Sequence, residues 1–525
     1  MIIGIKHKNW LCAGVTFVLF FTLYALTAQR GVSWQDSGEF QYRLLAGDYV
    51  WHSGIARAHP LYIFLGRGFV ALFPVALRFY ASALFSGFCM ALALTVLCLL
   101  TVKVVGSRSA AVLASCTLGF AHMVWWMAAM TEVYALSLVF VFFELLLLWC
   151  FTQHRRVNWL LLLFAVNGLH FAVHNVALLA LPVYAFLLVG HIIGDVRKRT
   201  AHLAMAAICW IVGSALIWWL ALSELLEGRA LGEVIASVLF GDGYKDHVLG
   251  MHNFNLRMFG FNMALTALSL TSPCWLLAPL GIFKRGVQDK TFRIALLTLT
   301  LIHGLFWIRY FVPDQATFVL PLLGLLAVWM GIGWQSLKGG VQSVKGATLL
   351  LSAGLCVNLT VLHVLPVWAE VRWGNDVRAR NLPSRNEWQY WIRPWKQSES
   401  SADVFARVVE STLAEDEVLY ADSTAAAPIM AWRQINGAEG RFTLVSPWHH
   451  FTMADCRRMI DEGRMYVVSP ARNYIPDWLN REDVSFRQTG LVYKVEEKRG
   501  HGEARECESL GGVSRKDAKA QREEF

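Results

Sequence analysis

Long apolar runs separated by short polar segments dominate the sequence from Trp10 to about Pro366. Each run has roughly the 20 residues that a helix needs to cross the hydrocarbon core of a bilayer. The pattern therefore predicts an all-α membrane domain over residues 1–366, with about eleven transmembrane helices. The predicted spans cover residues 10–28, 79–102, 109–129, 133–151, 158–173, 176–193, 203–222, 261–283, 292–311, 316–336 and 346–366.

The chain changes character after the last apolar run. Strand-like runs are separated by helix-like stretches, which indicates a small α/β domain over residues 367–497. The strand-like runs are Glu417–Ala421, Phe442–Val445, Met465–Ser469 and Leu491–Val495, and the helix-like stretches are Ala402–Ala414 and Met453–Glu462. Residues 498–525 are charged and glycine-rich, a composition that is typical of a disordered tail.

The composition supports a membrane protein. The chain of 525 residues is 56% hydrophobic and 16% charged, with a mean hydropathy of +0.44, whereas soluble domains carry about 25% charged residues. Eight of the ten cysteines lie in or beside apolar runs, where cysteine acts as a small apolar residue and not as a disulfide framework. The net charge of +9 is compatible with an anionic partner, but the basic residues lie mostly between spans, so we expect membrane lipids and no nucleic acid as partners.

The basic residues between the spans predict the orientation of the protein. They concentrate in alternate loops, and the positive-inside rule makes those loops cytoplasmic. An odd number of spans then places the α/β domain outside the cytoplasm, which suggests a multi-pass protein of a bacterial inner membrane. The residues concerned are Lys6, Lys8, Lys103, Arg108, Arg155, Arg156, Arg197, Lys198, Arg199, Lys284, Arg285, Lys290, Arg293, Lys338 and Lys345.

The first outer loop departs from this charge bias. It contains the five arginines Arg30, Arg43, Arg57, Arg67 and Arg78. Arginine, together with His59 of the same loop, can hold the phosphate of a lipid-linked substrate through charge-assisted hydrogen bonds. Contact with lipid headgroups is the simpler alternative.

Two carboxylates of the same loop are candidates for catalysis. Asp36 and Glu39 are three residues apart and would share one face of a helix. Such a pair can share a proton, which raises one pKa towards the range of a general base, or it can chelate a divalent cation. Capping is the alternative, because Ser33 and Asp36, like Asp36 and Glu39, also have the spacing of a helix capping box.

Other polar residues lie close to or inside the spans. Glu132 lies at the start of the fourth span, where the helix dipole alone would favour a negative charge. His170 and His174 are four residues apart and could face a common ligand. A histidine pair without a third ligand, however, more often consists of buried histidines that are hydrogen-bonded within the protein core. Glu144 lies inside a span, where a carboxylate is costly unless it is paired.

The motifs of the first outer loop resemble those of a known family. Asp36-Ser37-Gly38-Glu39-Phe40, followed by Ala58-His59-Pro60-Leu61-Tyr62 and Leu65-Gly66-Arg67, resembles a bacterial membrane family related to the transmembrane O-mannosyltransferases of the GT-C superfamily. Glu132-Val133-Tyr134, Gly168-Leu169, His174-Asn175 and Asp314 with Phe318 and Pro321 fit in the same order. The similarity extends to about residue 340 and more loosely over the α/β domain. The turn at His59 is shorter than the His-Pro-Pro-Gly-x-Pro-Leu-Tyr turn of the family.

The resemblance implies a membrane glycosyltransferase with an outward-facing site and a polyprenyl-phosphate-linked sugar donor. It implies that Asp36 is the base, with Glu39 as its helper, in an inverting transfer to a protein, glycan or lipid acceptor. The residues expected to bind donor phosphate or substrate are Arg57, His59, Arg67, Glu132, Tyr134, His174 and Asp314. No cofactor is required by this reading, apart from a candidate divalent cation.

Two functions of other classes remain alternatives. A transporter or flippase of lipid-linked sugars would place its charges near the middle of the bilayer and show paired broken helices, whereas these charges concentrate in an outer loop. A membrane-anchored scaffold that binds partners through its α/β domain would not need the carboxylates at all.

Overall fold

The structure is a computed structural model that describes most of the chain. The described residues are 7–50, 52–191, 196–242, 245, 250, 254–284, 289–337, 344–374, 382–437, 441–446 and 453–497. The predicted tail at residues 498–525 lies outside these ranges.

Six helices in the described ranges are long and apolar enough to cross a membrane: His7–Thr27, Val75–Val105, Tyr134–His154, Lys290–Arg309, Gln315–Gln335 and Lys345–Trp373. Three further pairs of helices are bent by more than 40° at a short break. These are Arg108–Gly119 with His122–Ala129, Thr200–Gly213 with Ala215–Leu226, and Leu256–Ser269 with Pro273–Phe283, bent by 65°, 75° and 92°. Within the described residues the number of spans rises to nine if each bent pair crosses the membrane once.

Shorter helices account for the difference from the predicted number of spans. Val157–Val173 and Asn175–His191 lie where the fifth and sixth spans are predicted, and neither is long enough to be counted as a full crossing. The predicted count of eleven is therefore not confirmed. The other helices before residue 337 are Gln35–Ala46, Pro60–Val70 and Leu231–Phe240, with single 3-10 turns at Ile55–Arg57 and Val75–Leu77.

Small residues allow the apolar helices to approach closely. A Cβ atom on Gly281 would lie 2.0 Å from the carbonyl oxygen of Trp329, and one on Gly333 would lie 1.9 Å from that of Leu277. These glycines let the backbones of two neighbouring helices meet, which is how helices associate where lipid removes the hydrophobic driving force. Bulk at this contact would separate the helices.

The α/β domain contains one five-stranded sheet in the order β2-β1-β3-β5-β4. The strands are β1 (Val418–Tyr420), β2 (Thr443–Val445), β3 (Met465–Val467), β4 (Val484–Thr489) and β5 (Val492–Glu497). β1 pairs in parallel with β2 and β3, while β5 is antiparallel to β3 and β4. The helices of this part are Glu387–Ile392, Ser401–Thr412, Ser423–Asn436 and Met453–Asp461, with 3-10 turns at Arg472–Tyr474 and Asp477–Leu479.

The α/β domain packs directly on the loop that follows the first long helix. We call Gln35–Ala46 the loop helix and Ser423–Asn436 the domain helix. Gly38 of the loop helix lies so close to Ala427 of the domain helix that a Cβ atom on the glycine would be 3.2 Å from the alanine Cβ. The α/β domain and the first loop therefore lie on the same face of the membrane domain.

Candidate functional site

The loop helix begins without the predicted capping box. Trp34 occupies the N-cap position and makes no side-chain cap, while the hydroxyl of Ser33 donates to Oε1 of Gln29 at 2.8 Å. Gln35 has a positive φ of 59°, so the chain turns sharply just before Asp36. Asp36 is thus in the first helical turn, where the helix dipole favours a negative charge, but it does not cap the helix.

Asp36 and Glu39 differ in their surroundings although they share the loop helix. The Asp36 side chain is 49% exposed, and its Oδ1 lies 3.8 Å from a guanidinium nitrogen of Arg57, whose side chain is 28% exposed. Glu39 is buried. Burial raises the pKa of Glu39 to about 7; Arg57 opposes this rise and Asp36 adds to it. Of the two carboxylates, the one that reaches solvent is Asp36.

Arg43 fixes the loop that carries Arg57. Its fully buried guanidinium donates to the backbone carbonyl oxygens of Asp48 at 3.3 Å and Arg57 at 3.2 Å, and also to that of Ala58. Glu39 lies 3.7 Å from it, too far for a hydrogen bond. These three carbonyl oxygens hold the Arg43 side chain, and Arg43 serves as a structural anchor for the loop.

Glu132 joins the site through a residue next to Asp36. The hydroxyl of Ser37 donates to Oε1 of Glu132 at 2.5 Å, and the backbone N–H of Glu132 donates to Oγ of Ser86 at 2.9 Å. Glu132 is buried. Burial, reinforced by the negative charge of Asp36, holds the pKa of Glu132 well above its ordinary value.

Asp314 approaches the site from a distant part of the sequence. The hydroxyl of Tyr134 donates to Oδ2 of Asp314 at 3.3 Å, and Thr317 donates to the Asp314 carbonyl oxygen at 2.8 Å. Burial raises the pKa of Asp314 to about 6; Asp36 adds to the rise and Arg57 opposes it. The structure therefore brings together Asp36, Arg57, Glu132, Tyr134 and Asp314.

The two predicted histidines are neutral groups. His59 is buried, and its Nδ1 donates to the carbonyl oxygen of Val173 at 2.7 Å. Burial, with His174 adding to it, holds the pKa of His59 well below its ordinary value, so this residue supplies no positive charge to a phosphate. His174 stacks 5.1 Å from the His59 ring, and burial lowers its pKa to about 3.

Arg67 lies apart from the other predicted residues. It is exposed, and its Nη1 is so close to Gly47 that a Cβ atom there would be 1.4 Å away. Gly47 caps the C-terminus of the loop helix, about 16 Å along the helix axis from Asp36. Arg67 is thus at the negative end of the helix dipole, and the structure does not group it with Arg57.

Two further features complete the description of the site. Among the residues that the structure describes, no group of three or more His, Cys, Asp or Glu side chains could hold a metal ion, so the divalent cation stays a prediction. A small cavity of about 10 Å³, room for about one water molecule, adjoins the cluster. It is lined by Tyr134, Ser137, Leu138, His174, Val176, Phe318, Leu320 and Pro321.

Sequence reasoning missed three residues of this region. Ser37 is part of the Asp-Ser-Gly-Glu motif, and only its hydrogen bond to Glu132 gives it a role. The sequence shows Arg43 as a basic residue of an outer loop, but it does not show that this residue is buried. Ser137 has no signal in the sequence, because a serine in an apolar helix usually bonds to the backbone of its own helix.

Comparison with solved structures identifies the fold. The crystal structure of ArnT from Cupriavidus metallidurans bound to undecaprenyl phosphate matches with a TM-score of 0.56 and 13% identity, covering 94% of this chain and 98% of ArnT. Its apo state matches with a TM-score of 0.50 and 14% identity, covering 92% and 96%. Mycobacterial arabinofuranosyltransferase AftD matches with a TM-score of 0.50 and 10% identity, covering 95% of this chain and 40% of AftD. The chain therefore has the fold of the GT-C membrane glycosyltransferases.

A sequence comparison gives a more particular relationship. The family model for the N-terminal domain of the protein O-mannosyl-transferase TMEM260 matches residues 36–193. This range begins at Asp36 and includes Arg57, Glu132 and His174. A search of curated proteins finds no match. The resemblance recognised in the sequence, to GT-C membrane glycosyltransferases related to the O-mannosyltransferases, is confirmed.

Proposed function

We propose that the protein transfers a sugar from a polyprenyl-phosphate donor to an acceptor on the outer face of a bacterial inner membrane. The structure of ArnT with undecaprenyl phosphate supports the donor class, because that fold matches nearly all of both chains. The match to an O-mannosyl-transferase domain supports sugar transfer as the reaction.

The observation that carries the proposal is the position of Asp36. Its carboxylate is half exposed, whereas Glu39 and Glu132 are buried. A general base must reach the proton that it removes. Asp36 is accordingly the carboxylate of this cluster that an acceptor hydroxyl can approach.

In the proposed reaction, Asp36 takes the proton of the acceptor hydroxyl while the acceptor oxygen attacks the anomeric carbon. The bond to the lipid phosphate breaks on the opposite side, so the configuration inverts and the lipid phosphate leaves with the bonding electrons. Arg57, close to Asp36, neutralises negative charge that develops on this phosphate, as an arginine can.

Glu132 limits the negative charge of the site. Its pKa is well above the ordinary value because it is buried near Asp36, whereas the pKa of Asp314 rises only to about 6. A carboxyl group that stays protonated repels an anionic donor less and can donate a hydrogen bond. We assign both residues, with Tyr134, to substrate binding.

The test is sugar transfer by purified full-length protein from undecaprenyl-phosphate monosaccharides to acceptors in a detergent extract of bacterial inner membranes, measured as release of undecaprenyl phosphate. Asp36→Asn keeps the size of the side chain but cannot accept the proton, so we expect a rate at least about 100-fold below that of the parent. Asp48→Asn makes the same change beyond the other end of the loop helix and should keep near-parental activity.

A parental rate in Asp36→Asn would show that Asp36 is not the general base and that another residue takes the proton. A parent that binds the donors and never consumes them would instead support a flippase or transporter and contradict the proposed transfer.

A further inference from the structure

The last apolar helix, Lys345–Trp373, is longer than a bilayer crossing requires. Its 29 residues extend about 43 Å at 1.5 Å per residue, whereas the hydrocarbon core of a bilayer is about 30 Å thick. The first long helix, His7–Thr27, has 21 residues, or about 32 Å, and so matches the core closely. The last apolar helix is therefore long enough to cross the core and continue through a headgroup region.

Contacts with the beginning of the α/β domain mark where the additional length starts. The backbone N–H of Lys396 donates to the carbonyl oxygen of Thr27, the last residue of the first long helix, at 2.7 Å. The ring of the neighbouring Trp395 lies 4.5 Å from the ring of His363. His363 is therefore near the level at which the first long helix ends, and residues 364–373 continue for about 15 Å beyond it.

We call residues 364–373 the projecting segment. One of its faces carries large apolar side chains at the i, i+3, i+4 and i+7 spacing of a helix: Val364, Val367, Trp368 and Val371. Their exposed fractions lie between 50% and 84%, whereas Ala369 on the opposite face is fully buried. The projecting segment thus has an apolar face that the described part of the chain leaves exposed.

This face continues the lipid-facing side of the same helix. Leu349 and Val357 of the crossing part are 73% and 45% exposed, as expected of apolar side chains that face lipid. Val357 and Val364 are seven residues apart, which is about two helical turns, so they lie on the same side. The sequence has no charged residue between Leu349 and Trp368. A single apolar stripe therefore runs from the crossing part into the projecting segment.

Tryptophans surround the end of this stripe. The rings of Trp368 and Trp373 lie 4.9 Å apart, and the ring of Trp373 lies 5.4 Å from that of Trp388 in the following segment. The charged residues Glu370 and Arg372 alternate with them. Tryptophan is enriched at the headgroup level of membranes, where its ring contacts apolar chains and its N–H contacts water. The end of the helix therefore has the composition of a membrane interface.

We infer that the projecting segment lies in the headgroup region and that its apolar face binds the phospholipid surface on the side of the α/β domain. The continuity of the apolar stripe and the tryptophans at its end favour lipid as the partner. A second copy of the chain fits less well, because a stable protein interface takes about 20–30 residues from each partner. The lipid contact anchors the α/β domain, and with it the loop helix, at a fixed height on the membrane.

Photo-crosslinking in nanodiscs identifies the partner. p-Benzoylphenylalanine replaces Val371 in the full-length protein, in nanodiscs of phosphatidylethanolamine and phosphatidylglycerol. Val371 is 84% exposed, so the larger side chain needs no room in the protein core. After irradiation, we expect phospholipid adducts by intact mass spectrometry, as from the same probe at Leu349 in the crossing part. Gln488, exposed on strand β4, is the control position and should give no adduct.

Brominated phospholipids measure the depth of the segment. Trp368→Phe removes one exposed tryptophan, so the difference in fluorescence between parent and variant reports on Trp368. Bromine on acyl carbons near the headgroup should quench this difference signal more than bromine near the end of the acyl chain. Trp478→Phe, at a half-buried position of the α/β domain, is the control, and its difference signal should be insensitive to both lipids.

Three results would overturn the inference. Cross-links from Val371 to a second copy of the chain, without lipid adducts, would show that the apolar face is a dimer contact. Equal adduct yields at Val371 and Gln488 would show that the projecting segment has no particular contact with lipid. Stronger quenching of Trp368 by bromine near the chain end would place the segment inside the hydrocarbon core.

Discussion

Burial divides the acidic residues of the site into groups with different chemistry. Glu39 and Glu132 are buried, and their pKa values are raised mainly for that reason. Asp36 is half exposed and lies beside Arg57. At the scale of single residues, the site consists of the accessible carboxylate of Asp36 and the cation of Arg57. The buried carboxyl groups of Glu39 and Glu132 lie beside them and have raised pKa values.

Arg57 is the residue that we expect to bind the donor phosphate. Arg57→Ala should weaken donor use, and Arg57→Lys should restore only part of it, because an ammonium group lacks the bidentate fork of a guanidinium. Arg67→Ala is the matched control and should be much milder, since Arg67 lies at the far end of the loop helix. The measurement is kcat/KM for the lipid-linked donor. Full activity of Arg57→Ala would show that Arg57 does not bind the donor phosphate.

Glu39 makes stability dependent on pH. Its pKa rises from an ordinary 4.5 to about 7 in the folded protein, so between these values the folded state binds a proton that the unfolded state has lost. The contribution of Glu39 to stability is therefore fully present below pH 4.5 and is lost as the pH rises to about 7. Glu39→Gln cannot lose a proton and should flatten this part of the pH profile of Tm. Identical profiles for the two proteins would show that Glu39 is ionised in the folded state.

At the scale of elements, the loop helix depends on the α/β domain for its position. The indole N–H of Trp34 donates to Oγ of Ser401 at 2.7 Å, and the Trp34 ring lies 5.0 Å from that of Phe405. Gly38 contacts Ala427 of the domain helix. These contacts hold the first turn of the loop helix, which carries Asp36.

Gly38 tests this dependence. A Cβ atom at this position would lie 2.2 Å from the carbonyl oxygen of Ser33 and 3.2 Å from Ala427, so Gly38→Ala must displace the start of the loop helix. Overpacking of this kind costs about 1–3 kcal/mol, and we expect a lower Tm together with slower sugar transfer.

Gly68→Ala provides the matched control. Gly68 lies in the Pro60–Val70 helix, and no atom is within 4 Å of the place that its Cβ would take. This variant should therefore retain its Tm and its activity. Parental Tm and activity in Gly38→Ala would show that the close approach is not required.

Prediction of the elements failed where the sequence pattern was weak. The domain helix contains Pro428, which interrupts a helical pattern, and it was not predicted. Strand β4 is only partly buried along its length and was also missed. The domain helix packs on the loop helix, and β4 pairs with β5.

The last apolar helix also extends further than the sequence indicated. It continues through Pro366 to Trp373, beyond the predicted domain boundary at residue 366. The end of this helix packs against the following segment, where the ring of Trp373 contacts that of Trp388.

At the scale of the whole molecule, orientation in the membrane remains a prediction. The loop charges place residues 367–497 outside the cytoplasm, and the structure puts the loop helix on the same face as that domain. A fluorescent reporter that matures only in the cytoplasm should be silent when it is fused after Glu497. The same reporter fused after Lys284, in a predicted cytoplasmic loop, should be bright. A bright signal after Glu497 would reverse the orientation and place the site on the cytoplasmic face.

The sequence by itself indicated a helical membrane domain, the small α/β domain and most of the residues proposed for the site. It could do so because membrane spans and the Asp-Ser-Gly-Glu motif are local signals, readable from composition and spacing. Only the tertiary structure decided the protonation, exposure and position of each of these residues. Burial holds His59 in its neutral form, and packing places Arg67 at the opposite end of the loop helix from Asp36. These properties depend on contacts between residues far apart in the chain, and no local pattern encodes such contacts.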